Sequence, residues 1–261
     1  MRTLALRDFR GVTLPPLPGT ARECAALEAE AKRDGLQPQV FVGPNATELQ
    51  LNQVNSPRIL HLATHGFFLP ETAEDGKNAL RTNADERGVG GMSLVGDLGD
   101  GRSQSVGLKN PMHRSGLALA GAQRTLEAWA RGEVPPTTND GIVTAEEVGG
   151  LKLEGTWLVV LSACDTGSGE ARAGEGVLRL RRGFIQAGAQ NLLMTLWAVA
   201  DEETVKLMTD FYTAAQRSGN APQALSDVQR DWLVRLRKER GLQAAVRLAG
   251  PFIMSSQGAL K

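Results

Sequence analysis

Two cysteines and three histidines are the residues of this chain best suited to nucleophilic and acid–base chemistry, and they are unequally placed. Cys164 follows an apolar run, Trp157 to Ala163 (WLVVLSA), that is short, rich in Val and Leu and bounded by turn residues, which reads as a strand buried on both faces. The carboxyl ends of such strands are where open α/β sheets gather their ligands. The residues that follow, Asp165, Thr166, Gly167, Ser168 and Gly169, make a polar, permissive loop that leaves a thiol near solvent. Cys24 reads differently. It sits among Ala25, Leu27 and Ala31 on a helix face, where a free thiol behaves as a small packing residue.

A thiol becomes a nucleophile at neutral pH when a base takes its proton. His65 closes a second strand-like run, Arg58 to Thr64 (RILHLAT), and Gly66 follows it at once. Parallel neighbouring strands lie about 4.8 Å apart, so side chains leaving their carboxyl ends can converge on one cleft. Gly66, lacking a Cβ, admits a substrate carbonyl, and its N–H together with that of Cys164 can form an oxyanion hole. His61 and His65 have the i, i+4 spacing of zinc ligands on a helix, but on a strand they stand roughly 13 Å apart, and HLATH lacks the glutamate of HExxH. No metal site is expected. His61 reads as a hydrogen-bonded core or supporting histidine, and His113 as a surface or loop residue. The glycines of GSGEARAGEG match neither phosphate-binding pattern, no GxSxG elbow exists for an acyl hydrolase of the α/β-hydrolase type, and no cofactor is implied.

HLATHG (His61 to Gly66), LVVLSACDTG (Leu158 to Gly167), GEGV (Gly174 to Val177) and LWAVAD (Leu196 to Asp201) together resemble the CHAT domain, a family of the caspase-like, clan CD cysteine peptidases related to separases and metacaspases. The likeness runs in order from LPPLPGTARE at Leu14 through PMHRSGLALAGA at Pro111 to GPFIMS near the C-terminus. It implies a general base at His65 and a nucleophile at Cys164. It also implies the fold class: α/β, a caspase-like three-layer sandwich with a mostly parallel central sheet and helices on both faces. In that family the domain often follows tetratricopeptide repeats, so a repeat module in cis or in trans is an expected partner.

The elements that must position these residues follow from pattern. A single domain is expected over 1–261, with the histidine in 20–66, a long loop or insertion over 67–110 and the cysteine in 111–261. Thr20 with Glu23 forms a capping-box pattern opening a helix to about Arg33, and Gly35 ends it. Gln39 to Val42 is read as a short strand and Ala46 to Gln53 as a helix, giving a βαβ rhythm. Phe67 to Lys109 is rich in Gly, Asn, Asp and Arg without periodicity, a flap or solvated excursion. Ser115 to Ala120 reads as a strand, Leu126 to Arg131 as helical, and Thr144 with Glu147 as a second capping box. A helix over Gly176 to Ala187, a strand over Asn191 to Trp197, two helices over Asp201 to Arg217 and Ala221 to Lys238, and a last strand at Phe252 to Ser255 complete the reading. Trp197 and Asp201 leave their strand at the dyad's edge and are expected, with Asp165, to line the substrate cleft.

Composition narrows the partners. Lys plus Arg and Asp plus Glu are equal at 29 each, so no overall basic bias favours nucleic acid or an anionic membrane. Two separated cysteines make no disulfide framework, and no signal peptide or spanning apolar run is evident, which fits a reducing cytoplasm. The expected activity is a cysteine endopeptidase acting on a protein or peptide. The alternative is a scaffold module of the same fold that docks partners without cutting.

Overall fold

The structure is a computed structural model that describes residues 13–68, 110–133, 138–162, 170–197 and 201–257. The first helix, α1 (Pro18–Arg33), begins three residues earlier than the Thr20 cap would place it, with Leu17 at the N-cap position. Pro18 takes the first turn, where its missing N–H is no loss and its fixed φ is already helical. Thr20 is therefore inside the helix, its hydroxyl donating to the Leu17 carbonyl at 2.7 Å. Glu23 closes no capping box and is turned inward, 4% exposed. Gly35, at φ +74°, does end the helix: the Leu36 N–H bonds back to the Ala31 carbonyl at 2.9 Å. Gln39 to Val42, expected as a strand, joins no sheet among the described residues. The following helix shrinks to α2 (Glu48–Asn52), opened by Thr47, whose hydroxyl accepts from the Gln50 N–H.

In chain order the described strands are β1 (Ile59–Leu62), β2 (His65–Phe68), β3 (Ser115–Ala118), β4 (Ile142–Thr144), β5 (Leu158–Leu161), β6 (Asn191–Thr195) and β7 (Phe252–Ser256). Between and after them lie α3 (Ala122–Ala130), α4 (Ala145–Val148), α5 (Glu170–Gln186), α6 (Asp201–Ser218) and α7 (Ala221–Ala249). The main sheet has the order β1-β5-β6-β7, parallel across the first three and antiparallel at β7. Side chains alternate between its faces. Leu60, Leu62, Val159, Leu161, Leu192 and Met194 pack toward Val148 of α4 and toward Leu180 and Phe184 of α5. Ile59, Leu158, Val160 and Leu193 pack toward Leu207 and Phe211 of α6, Trp232 and Leu236 of α7, and Leu27 of α1. The fold is thus α/β, a mostly parallel sheet between two helical layers, as the caspase-like sandwich requires.

A second, antiparallel sheet, β2-β3-β4, has its own small core around Phe67, Leu126, Trp129 and Ile142. Phe67 belongs to strand and core, not to the long loop or insertion expected from sequence, and the rest of that stretch from 69 to 109 lies outside the described residues. Gly116 is the residue that admits it. A Cβ there would stand 2.6 Å from the Phe67 ring and 2.2 Å from the Val143 carbonyl oxygen. Thr144 and Glu147 do form the expected capping box, and α4 follows directly from β4, a strand whose three residues give too short a pattern to read in advance. Gly241, at φ +86°, breaks α7 near its end. Among the described residues no helix is long and apolar enough to cross a membrane.

Candidate active site

β1 and β5 are adjacent parallel strands in register, Ile59 opposite Leu158 and Leu62 opposite Leu161. The pairing continues one residue past β5, where the Ser162 N–H donates to the carbonyl of Leu62, the last residue of β1, at 3.1 Å. Cys164 comes two residues after Ser162 in the chain; it and Asp165 lie outside the described residues.

His65 is not carried by the end of β1. The chain bends at Ala63 and Thr64, and His65 opens β2, opposite Ala118 in the second sheet. The strand expected over Arg58 to Thr64 is shorter because the chain must leave one sheet to enter the other. The imidazole is 7% exposed. Its Nε2 lies 2.7 Å from the Pro15 carbonyl oxygen, which can only accept, so Nε2 carries a proton. In the neutral ring Nδ1 then holds the lone pair. That atom is buried and has no hydrogen-bond partner among the described residues. The protein thus fixes the tautomer of the ring through a backbone carbonyl and leaves Nδ1 as the lone-pair nitrogen.

Pro15 is held in place for this. The Leu14 N–H donates to Gln123 Oε1 at 2.9 Å, and Leu14 packs on the core of the second sheet. The proline-rich segment reads from sequence as a connector, and a backbone carbonyl has no side-chain signature by which its role could be found. Gly66 is buried beside His65 in β2, opposite Leu117.

β6 ends at Thr195, at the same carboxyl edge of the sheet as β1 and β5. Trp197 follows two residues later, 37% exposed, its indole N–H donating to the Arg247 carbonyl of α7 at 3.1 Å. Asp201 begins α6. His113 lies in a short 3-10 turn, Pro111–Arg114, at the surface in contact with Glu146 of α4. His61 is engaged through both ring nitrogens, Nδ1 to the Tyr212 hydroxyl at 2.8 Å and Nε2 to Ser162 Oγ at 3.3 Å. Among the described residues no group of three or more His, Cys, Asp or Glu side chains could hold a metal ion. Cys24 is half-buried on α1, and burial, then the negative charges of Glu28 and Glu23, push its thiol pKa up. The geometry therefore provides one tautomer-locked, buried imidazole next to paired strand ends, and a half-buried Cys24 whose surroundings favour the thiol form.

Comparison with curated proteins finds no match. The model of the CHAT domain family matches residues 3–244, spanning both strand ends, the segment that carries Pro15 and the helices on either face, and the chain therefore belongs to the CHAT domain family.

Proposed function

We propose that the chain is a cysteine endopeptidase in which His65 is the general base and Cys164 the nucleophile. The observation that carries this reading is His65 itself: Nε2 is committed to the Pro15 carbonyl, and Nδ1 is buried with no partner among the described residues. A core histidine kept only for packing would have both nitrogens satisfied, as His61 does. Nδ1 takes the thiol proton, and the thiolate attacks the carbonyl carbon of the scissile peptide. The Gly66 and Cys164 N–H groups hold the oxyanion as the tetrahedral intermediate forms. Its collapse breaks the C–N bond, with the imidazolium returning its proton to the leaving amine, and water then hydrolyses the thioester to free the acid. Asp165 borders the pocket and disposes it toward a basic residue on the acyl side of the cut, while Trp197 and Asp201 wall the cleft. The natural substrate is a protein partner in a reducing cytoplasm, with cleavage controlled by a repeat module in cis or in trans.

A peptide-library and proteome-scale cleavage assay comparing the chain with its Cys164→Ala form tests this, with and without a repeat module. Cuts that vanish with the thiol are expected. Silence under every condition would favour the scaffold alternative, and Cys164-dependent cutting after uncharged residues alone would remove the proposal for Asp165.

A further inference from the structure

A second polar cluster, unused by the reaction above, lies on the sheet face covered by α6 and α7. It joins Glu23 of α1, His61 of β1, Ser162 just beyond β5 and Tyr212 of α6. Glu23, Ser162 and Tyr212 are 4%, 8% and 6% exposed. With Glu23 as a carboxylate, the direction of every bond is forced. The Ser162 hydroxyl donates to Glu23 Oε2 at 2.8 Å, so its oxygen must accept from His61 Nε2 at 3.3 Å. In the neutral imidazole Nδ1 then accepts from the Tyr212 hydroxyl at 2.8 Å. Burial first, and the Glu23 charge second, hold the Tyr212 pKa well up, keeping that donor protonated. Glu23 Oε1 approaches His61 Nε2 to 3.2 Å without the alignment of a hydrogen bond, so the carboxylate lies beside the N–H end of the neutral ring in the chain Tyr212→His61→Ser162→Glu23.

The position of this chain separates it from ordinary core polarity. Along the same face Ile59, Leu158 and Val160 are apolar, and polar residues begin only at the carboxyl end of the two strands. Apolar residues of similar volume would stabilise a core at least as well, and Glu23 Oε1 has no hydrogen-bond partner among the described residues, whereas hydrogen bonds of fixed direction set angle and register. We propose that Glu23, His61, Ser162 and Tyr212 are positioning residues. They tie the ends of β1 and β5 to α1 and α6, and so set where the two segments leading to His65 and Cys164 leave the sheet. This inference rests on the cysteine-peptidase reading.

The test uses a Cys24→Ser background, in which Cys164 is the sole thiol, and follows its alkylation by iodoacetamide against pH, with the denatured chain as the ordinary-thiol reference. Glu23→Gln and Tyr212→Phe are compared with the parent, and thermal melts check folding. The parent should show a midpoint below that of the denatured chain. In the variants the midpoint should rise toward that reference and the rate at neutral pH should fall, up to about tenfold for each unit by which the midpoint rises, because the thiolate is the reacting form. Tyr212→Phe removes a single hydroxyl and decides the matter if Glu23→Gln does not fold. A purely structural role would lower the melting temperature and leave the midpoint in place. Folded variants with the parent's midpoint therefore overturn this inference while the peptidase reading stands. A parent midpoint equal to that of the denatured chain removes the peptidase reading and the positioning role together.

Discussion

Each of the three histidines has its own surroundings, and these decide what it can do. His113 meets Glu146 at the surface, His61 is satisfied at both nitrogens, and His65 alone keeps a buried lone-pair nitrogen without a partner among the described residues. The same logic applies to thiols, whose reactivity follows thiolate fraction and exposure. Burial and two nearby carboxylates hold Cys24 in its thiol form. Limiting iodoacetamide at neutral pH should therefore label Cys164 and leave Cys24 largely unmodified, as read by peptide mass spectrometry. Equal labelling would mean that Cys164 has no activating surroundings.

At the scale of elements, the site depends on how closely the layers approach. α5 follows Cys164 in the chain and lies on α4 at Gly183, where an added Cβ would stand 2.5 Å from the Ala145 carbonyl oxygen. A Gly183→Ala substitution gains about 1 kcal/mol of helix propensity but forces the two helices apart, an overpacking cost of about 1–3 kcal/mol. A Cβ at that distance from backbone has no side chain to push aside, so the steric cost wins and the melting temperature should fall. Gly150→Ala is the control, because a Cβ there would meet only the Glu147 carbonyl at 3.4 Å. A melt unchanged in both variants would show that α4 and α5 are not in close contact at Gly183.

For the whole molecule, completion of the main sheet lies beyond the stretch that matches the family model. That match ends at residue 244, yet β7 pairs with β6 from Asn191 opposite Ser256 to Thr195 opposite Phe252. Leu192, Leu193 and Met194 of β6 are fully buried, and Phe252 is 2% exposed. Truncation after Gly250 would uncover an apolar strand edge, the kind that pairs with other chains. Such a form should aggregate or melt well below the full chain in scattering-monitored melts, whereas truncation after Gln257, which removes no described residue, should not. Equal stability of both truncations would show that β7 is dispensable.

Much of this was legible in the sequence, because burial and alternation are local signals. The apolar runs at Leu158 and Asn191, the Thr144–Glu147 cap, the Gly35 stop and the paired motifs ending in His65 and Cys164 each follow from a few adjacent residues. They led to a parallel sheet with β1 beside β5, which the structure bears out. What pattern could not supply was which individual side chains and backbone groups meet across the chain. Glu23 looks like a cap residue until Ser162, 139 positions away, and His61 draw it inward. His65 looks like the end of one strand, but it begins another because its partner strand, β3, lies across the chain from it. The group that orients its ring is a backbone carbonyl 50 positions earlier, and every residue has one, so only the folded chain could select Pro15.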